Sequence, residues 1–143
     1  MASAEKILDL IEEARRAGLD GIDFLARFDL ATLAREYNGI GPEWAGENAR
    51  DWATAKFRIF EPAALIHDLR NYESDGTERG FHFANGEFVL NCLKLADRTY
   101  GWYDWRRYRA RALAQLLFDF VEGPGGWRAW LEAHEKNVKR LKG

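Results

Sequence analysis

The sequence predicts an all-α fold, and three features carry that expectation. Apolar residues recur at three- and four-residue spacings in most segments, and nowhere does a sustained two-residue alternation suggest a strand. Helix-capping residues and glycine or proline stops divide the chain at regular intervals. Hydrophobic residues make up 47% of 143 and charged residues 31%, enough apolar surface for one core and too much for a disordered chain.

Ser3 caps a first helix whose Ile7, Leu8, Ile11 and Ala14 form a stripe, with Gly18 as its stop. A short helical piece spans Gly21 to Phe28. Asp29 caps another, with Leu30, Leu33 and Ala34 facing inward. The glycines and proline between Tyr37 and Arg50 mark a loop. Pro62 suits a first helical turn, so a helix is expected from Glu61 or Pro62 to about Tyr72, followed by a turn at Ser74-Asp75-Gly76-Thr77. Phe83 to Tyr100 reads as helix, ended by Gly101. Trp102 to Val121 is a further one, stopped by Gly123-Pro124-Gly125-Gly126, and Trp127 to Leu141 an amphipathic last helix. A single domain over residues 1–143 is expected, without internal repeats.

Composition narrows the function classes. No apolar run approaches the ~18 residues of a membrane span, and acids at Glu5 and Asp9 interrupt any secretory leader. Cytoplasmic synthesis is therefore expected. Cys92 is the sole cysteine, so no internal disulfide forms and packing by six tryptophans and nine phenylalanines must hold the shape. The net charge of −2 gives no pull toward nucleic acid, although the last third is locally basic.

The chemistry-bearing residues cluster on the central pair of helices. His67 and Asn85 are equidistant from Gly76, so an antiparallel hairpin brings them level. Helical spacing puts Phe60, Ala64, His67 and Asn71 on one face, and Phe81, Asn85, Phe88 and Cys92 on the other helix's face. Two polar groups on facing apolar stripes satisfy each other, either as a device that specifies the core or as part of a reactive site. Asp68 points about 100° away from His67, toward a cation or toward Arg70. The loop Tyr37-Asn38-Gly39-Ile40-Gly41 allows tightly curled backbone with inward carbonyls, the kind of oxygen ligand calcium accepts, or else an ordinary surface turn.

Taken in order, Tyr37-x-Gly39-x-Gly41, His67-Asp68 and Ala84-Asn85-x-x-Phe88 resemble the phospholipase A2 superfamily, in the compact, disulfide-free form of its phage and bacterial members. The resemblance spans 37–96 and leaves 1–36 and 102–143 as flanking helices. It implies a two-helix core, calcium-dependent hydrolysis of phospholipid esters, His67 as general base, and calcium held by Asp68 with the carbonyls of Tyr37, Gly39 and Gly41. Asn85 then orients the histidine from a position where the family usually has aspartate. A tyrosine four residues after the histidine is also missing, since Asn71 stands there with Tyr72 next to it. Slow turnover follows from the first departure, and the rival expectation is a non-catalytic lipid-binding or structural module of a phage or secretion apparatus. With one carboxylate, calcium affinity on the order of 10⁻⁴–10⁻³ M is expected, which suits action outside the cell or in a phage particle. A third expectation is a helical core with no such site.

The segment from Trp102 to Arg111 interleaves rings with arginines. Its aromatics are expected to pack on the core under arginine stems. A second reading is a phospholipid or membrane surface contact through Trp102, Trp105, Arg106 and Arg107, and a third, disfavoured by the acidic balance, is nucleic acid. Cys92 is expected to be buried packing. His82 and His134 have no recognisable partner spacing, and the pair Glu61 and Glu87 shows no glycosidase-type context and is assigned no role.

Overall fold

A computed structural model of the chain describes residues 2–39 and 57–143. Among the described residues it is entirely helical: α1 (Ala4–Arg16), α2 (Ile22–Leu25), α3 (Leu30–Glu36), a 3-10 turn (Arg58–Phe60), α4 (Glu61–Tyr72), α5 (Glu78–Thr99), α6 (Trp105–Val121) and α7 (Pro124–Lys142).

The caps explain most boundaries. Ser3 accepts from the Lys6 amide at 3.1 Å and Asp29 from the Thr32 amide at 2.8 Å, each satisfying an N–H that lacks a helical partner. Thr77 does the same for Gly80, so α5 starts at Glu78 rather than at Phe83. Asp104 caps α6, which therefore starts at Trp105 rather than Trp102. Pro124 takes the first turn of α7, Gly123 caps it, and Gly125 and Gly126, read as part of a stop, lie inside that helix. A side chain at Gly126 would meet the Val121 carbonyl oxygen at 1.9 Å, so glycine is there to let two helices turn sharply together.

Helix α4 is the axis of the molecule. Every residue from Glu61 to Ile66 is buried, along with Leu69. Around it pack Ile7, Leu10 and Ala14 of α1, Leu25 of α2, Leu33 of α3, Phe88, Cys92, Leu95 and Ala96 of α5, and Ala110 and Ala114 of α6. Two expected core positions are corrected. Leu8 is 52% and Leu30 39% exposed, and Leu10 takes the inward place on α1. A smaller cluster of Phe81, Ala84 and Trp130 joins α5 to α7.

The turn between α4 and α5 is pinned from α7. Ser74, fully buried, donates its hydroxyl to the Trp130 carbonyl at 2.7 Å. Gly76 adopts a φ of 72°, where a side chain would also strike the His134 ring at 2.6 Å. The two helices leave this turn antiparallel, as shown by Arg70 against Glu87 and His67 against Asn85.

Candidate functional site

Helix α4 presents His67 to Asn85 of α5. The imidazole Nε2 and Asn85 Oδ1 lie 2.8 Å apart across 18 residues of sequence, and the His67 ring sits 4.8 Å from that of Phe88. Asn85 is buried. Its Nδ2 donates to the Val121 carbonyl at 3.4 Å and to the Glu122 carboxylate at 3.3 Å. Both of those partners are acceptors only, so the carboxamide is turned with its oxygen toward His67. Nε2 must then carry the proton, and Nδ1 is left as the lone-pair nitrogen. Among the described residues Nδ1 has no hydrogen-bond partner. Burial pushes the basicity of His67 below the usual histidine value and the bond to Asn85 opposes that, with burial the stronger. The ring is therefore neutral near pH 7.

Asp68, one residue on, meets the chain where α3 ends. Its Oδ2 accepts from the Asn38 amide at 2.8 Å, a contact across 30 residues that ties the start of the glycine loop to the helix bearing His67. The ordinary partner expected for Asp68, Arg70, turns instead to Glu87. Gly39 adopts a φ of 78°, as a curled loop needs. Gly41 lies outside the described residues. Tyr37 packs its ring on the core, and its buried hydroxyl has no hydrogen-bond partner among the described residues. Burial, then the nearby carboxylates of Glu61 and Asp68, hold that phenol strongly in its neutral form.

A cation held as the resemblance implies would meet only oxygen, from the Asp68 carboxylate and, among the described residues, the carbonyls of Tyr37 and Gly39. That composition suits calcium and does not suit zinc. Among the described residues no three His, Cys, Asp or Glu side chains converge, so backbone oxygens would have to supply most of the ligands. The residues fit the ion in kind.

Several partnerships escaped the sequence. Glu122, between α6 and α7, accepts from His82 Nδ1 at 2.9 Å as well as from Asn85. Glu61 and Glu87 are buried acids held by Lys6 at 2.6 Å and by Arg70 at 2.9 Å. His134 donates to the Ser74 carbonyl at 3.1 Å. These pairs join residues 17 to 60 positions apart, beyond any helical spacing. Cys92 is buried, and burial pushes its thiol far up, away from the reactive thiolate.

The aromatic segment departs from expectation. Trp102, Tyr103, Trp105 and Tyr108 are 74%, 80%, 66% and 58% exposed, so these rings do not pack on the core. Arg106 forks onto Asp104, while Arg107 and Arg111 share Asp97 at 2.9 and 2.8 Å. What projects is apolar and aromatic, with its cations largely neutralised. A shallow hollow elsewhere, lined by Phe24, Arg27, Arg70, Phe83 and Trp130 among others, includes none of the predicted site residues. Among the described residues no helix is long and apolar enough to cross a membrane.

No family model, curated protein or solved structure matches this chain.

Proposed function

We propose that the chain is a calcium-dependent hydrolase of phospholipid esters with His67 as its base. The observation that carries this reading is convergence. Asn38 at the head of the glycine loop reaches Asp68, and His67 reaches Asn85, so the three segments that resemble a phospholipase A2 site meet on one hairpin.

In the reaction, Nδ1 of His67 takes a proton from water while the water oxygen bonds to the ester carbonyl carbon. Nε2 of His67 keeps its proton and donates it in a hydrogen bond to the Asn85 carbonyl, whose dipole favours the imidazolium that forms. That imidazolium returns the proton to the leaving alkoxide as the ester C–O bond breaks, giving a fatty acid and a lysophospholipid. Asp68 and the carbonyls of Tyr37, Gly39 and Gly41 would hold a calcium ion, which would supply polarisation of the ester carbonyl. Asn85 carries no charge, so turnover is slow. Weak calcium binding would suit action outside the cell or in a phage particle.

The second reading is a phospholipid-binding or structural module without turnover. The four exposed rings from Trp102 to Tyr108 favour it, since such rings enter the headgroup layer of a bilayer.

Fatty-acid release from mixed anionic and neutral phospholipid vesicles, with millimolar calcium and with chelator, tests the two. Calcium-dependent release by the wild type that His67→Ala and Asp68→Asn both lack supports hydrolysis. Vesicle binding without release from any of them supports the module. Release surviving in His67→Ala overturns the mechanism.

A further inference from the structure

The proposed base sits on an asparagine, which has two chemically different ends. Bonded through its oxygen, Asn85 makes Nε2 of His67 the protonated nitrogen. Bonded through its amide, it forces the opposite tautomer and moves the lone pair to the wrong side. Nothing within the His67–Asn85 pair decides between the two. The decision lies at the other end of the carboxamide, where Asn85 Nδ2 faces the Glu122 carboxylate at 3.3 Å and the Val121 carbonyl at 3.4 Å. Neither can donate. Turning Asn85 over would set its oxygen against two oxygens and lose both Nδ2 hydrogen bonds at a buried residue.

We infer that Glu122 is a positioning residue for His67: it orients the Asn85 carboxamide, fixes the Nε2–H tautomer, and supplies one residue further out the negative charge that Asn85 lacks. Its catalytic consequence rests on the reading of His67 as a base; the tautomer itself does not. Glu122 is well placed for this. It follows directly on α6, its side chain is 22% exposed, and His82 Nδ1 holds it from the solvent side at 2.9 Å. His82 must be an Nδ1–H donor in that contact, because a carboxylate only accepts. The chain is thus His82 to Glu122, Glu122 to Asn85, Asn85 to His67.

The arrangement also explains why asparagine stands at position 85. An aspartate there would bring two carboxylates to about the 3.3 Å that separates Asn85 from Glu122, where both cannot stay ionised.

Long-range proton–nitrogen spectra of the three histidines at mildly alkaline pH read the tautomers directly, with His82→Gln and His134→Gln giving the assignment. The wild type is expected to show His67 as Nε2–H with an unprotonated Nδ1. Glu122→Gln, whose amide can also donate, is expected to lose that preference and show both tautomers. His82→Gln, which leaves the acceptor in place, is expected to keep it. A wild-type His67 protonated at Nδ1, or a Glu122→Gln spectrum like the wild type, overturns the inference. A second arm holds if Glu122→Gln folds poorly. Asn85→Asp should melt lower than the wild type at pH 7 and recover in mild acid, and the double variant Asn85→Asp/Glu122→Gln should melt near the wild type. An Asn85→Asp protein as stable as the wild type at pH 7 overturns it too. None of these readouts needs substrate. A Glu122-dependent tautomer without lipid hydrolysis removes the reaction and keeps the inference. Hydrolysis with a tautomer indifferent to Glu122 does the reverse.

Discussion

Arg70 clamps Glu87 across the α4–α5 pair with two hydrogen bonds, 3.0 Å from Nε and 2.9 Å from Nη2, while its guanidinium lies 3.9 Å from the centre of the Phe24 ring. The carboxylate is 6% exposed and the arginine 24%, so neither charge is well hydrated. Removing one partner strands the other. Arg70→Ala and Glu87→Ala should each cost about 3 kcal/mol, the low end for a broken buried pair. The double variant Arg70→Met/Glu87→Leu should cost less than either, because no charge is left buried. Arg70→Lys should not rescue, since an ammonium cannot fork onto a carboxylate or stack on a ring. Urea unfolding measures all four, and single losses under about 1 kcal/mol would place the pair among ordinary surface bridges.

His67 couples stability to pH. Burial depresses its folded-state basicity, whereas in the unfolded chain it takes up a proton near pH ~6.5. Below that point the unfolded state binds more protons, so stability falls as acid is added and levels off once the folded ring is protonated too. The depressed carboxylates Asp29, Asp75 and Asp97 act in a separate, more acidic window, where their contribution is lost as pH falls through the carboxylate range. Urea midpoints between about pH 5 and about pH 8 should slope in the wild type and flatten in His67→Gln. Equal slopes in both would remove His67 as the source.

These two cases mark what the sequence could and could not tell. Gly76 and the helical period were enough to set His67 level with Asn85, because a short turn between two helices leaves one antiparallel register. The helix count among the described residues and the caps Ser3 and Asp29 followed from local chemistry in the same way. Glu122 and Arg70 were not legible. Their partners lie 37 and 17 residues away, and which acid meets which base depends on how helices rotate about their axes. The exposed rings of the 102–108 segment misled for a related reason. Aromatic content signals burial on average, but Trp102 and Tyr103 sit in a short connection and Trp105 and Tyr108 on the exposed side of the start of α6.

Trp102 and Trp105 project with little to hold them, so replacing both by alanine should change stability by no more than about 0.5 kcal/mol. The same change should sharply reduce sedimentation with anionic phospholipid vesicles, because the rings are the part that enters the interface. Arg106→Gln should matter much less, as Asp104 already neutralises that arginine through contacts as short as 2.8 Å. A Trp102→Ala/Trp105→Ala variant that still sediments like the wild type would move the lipid contact elsewhere on the molecule.

Asn91 provides the stability counterpart of Asn85. Fully buried, it uses both ends of its carboxamide on the backbone of one residue: Oδ1 accepts from the Asp20 amide and Nδ2 donates to the Asp20 carbonyl, each at 2.9 Å. Asp20 lies between α1 and α2, where Gly18 and Gly21 take φ values of 66° and 100° and the chain has no regular helix to satisfy its polar groups. Asn91→Leu keeps the branching of the side chain but leaves that amide and carbonyl without their partner, at a cost of about 2 kcal/mol. Asn91→Asp keeps the acceptor and sets a carboxylate against the Asp20 carbonyl. A buried acid so placed has its folded-state basicity raised, so its stability should improve as pH falls, while Asn91→Leu should show no such recovery. If both variants lose the same stability at every pH, the asparagine acts by its volume and not by its two hydrogen bonds.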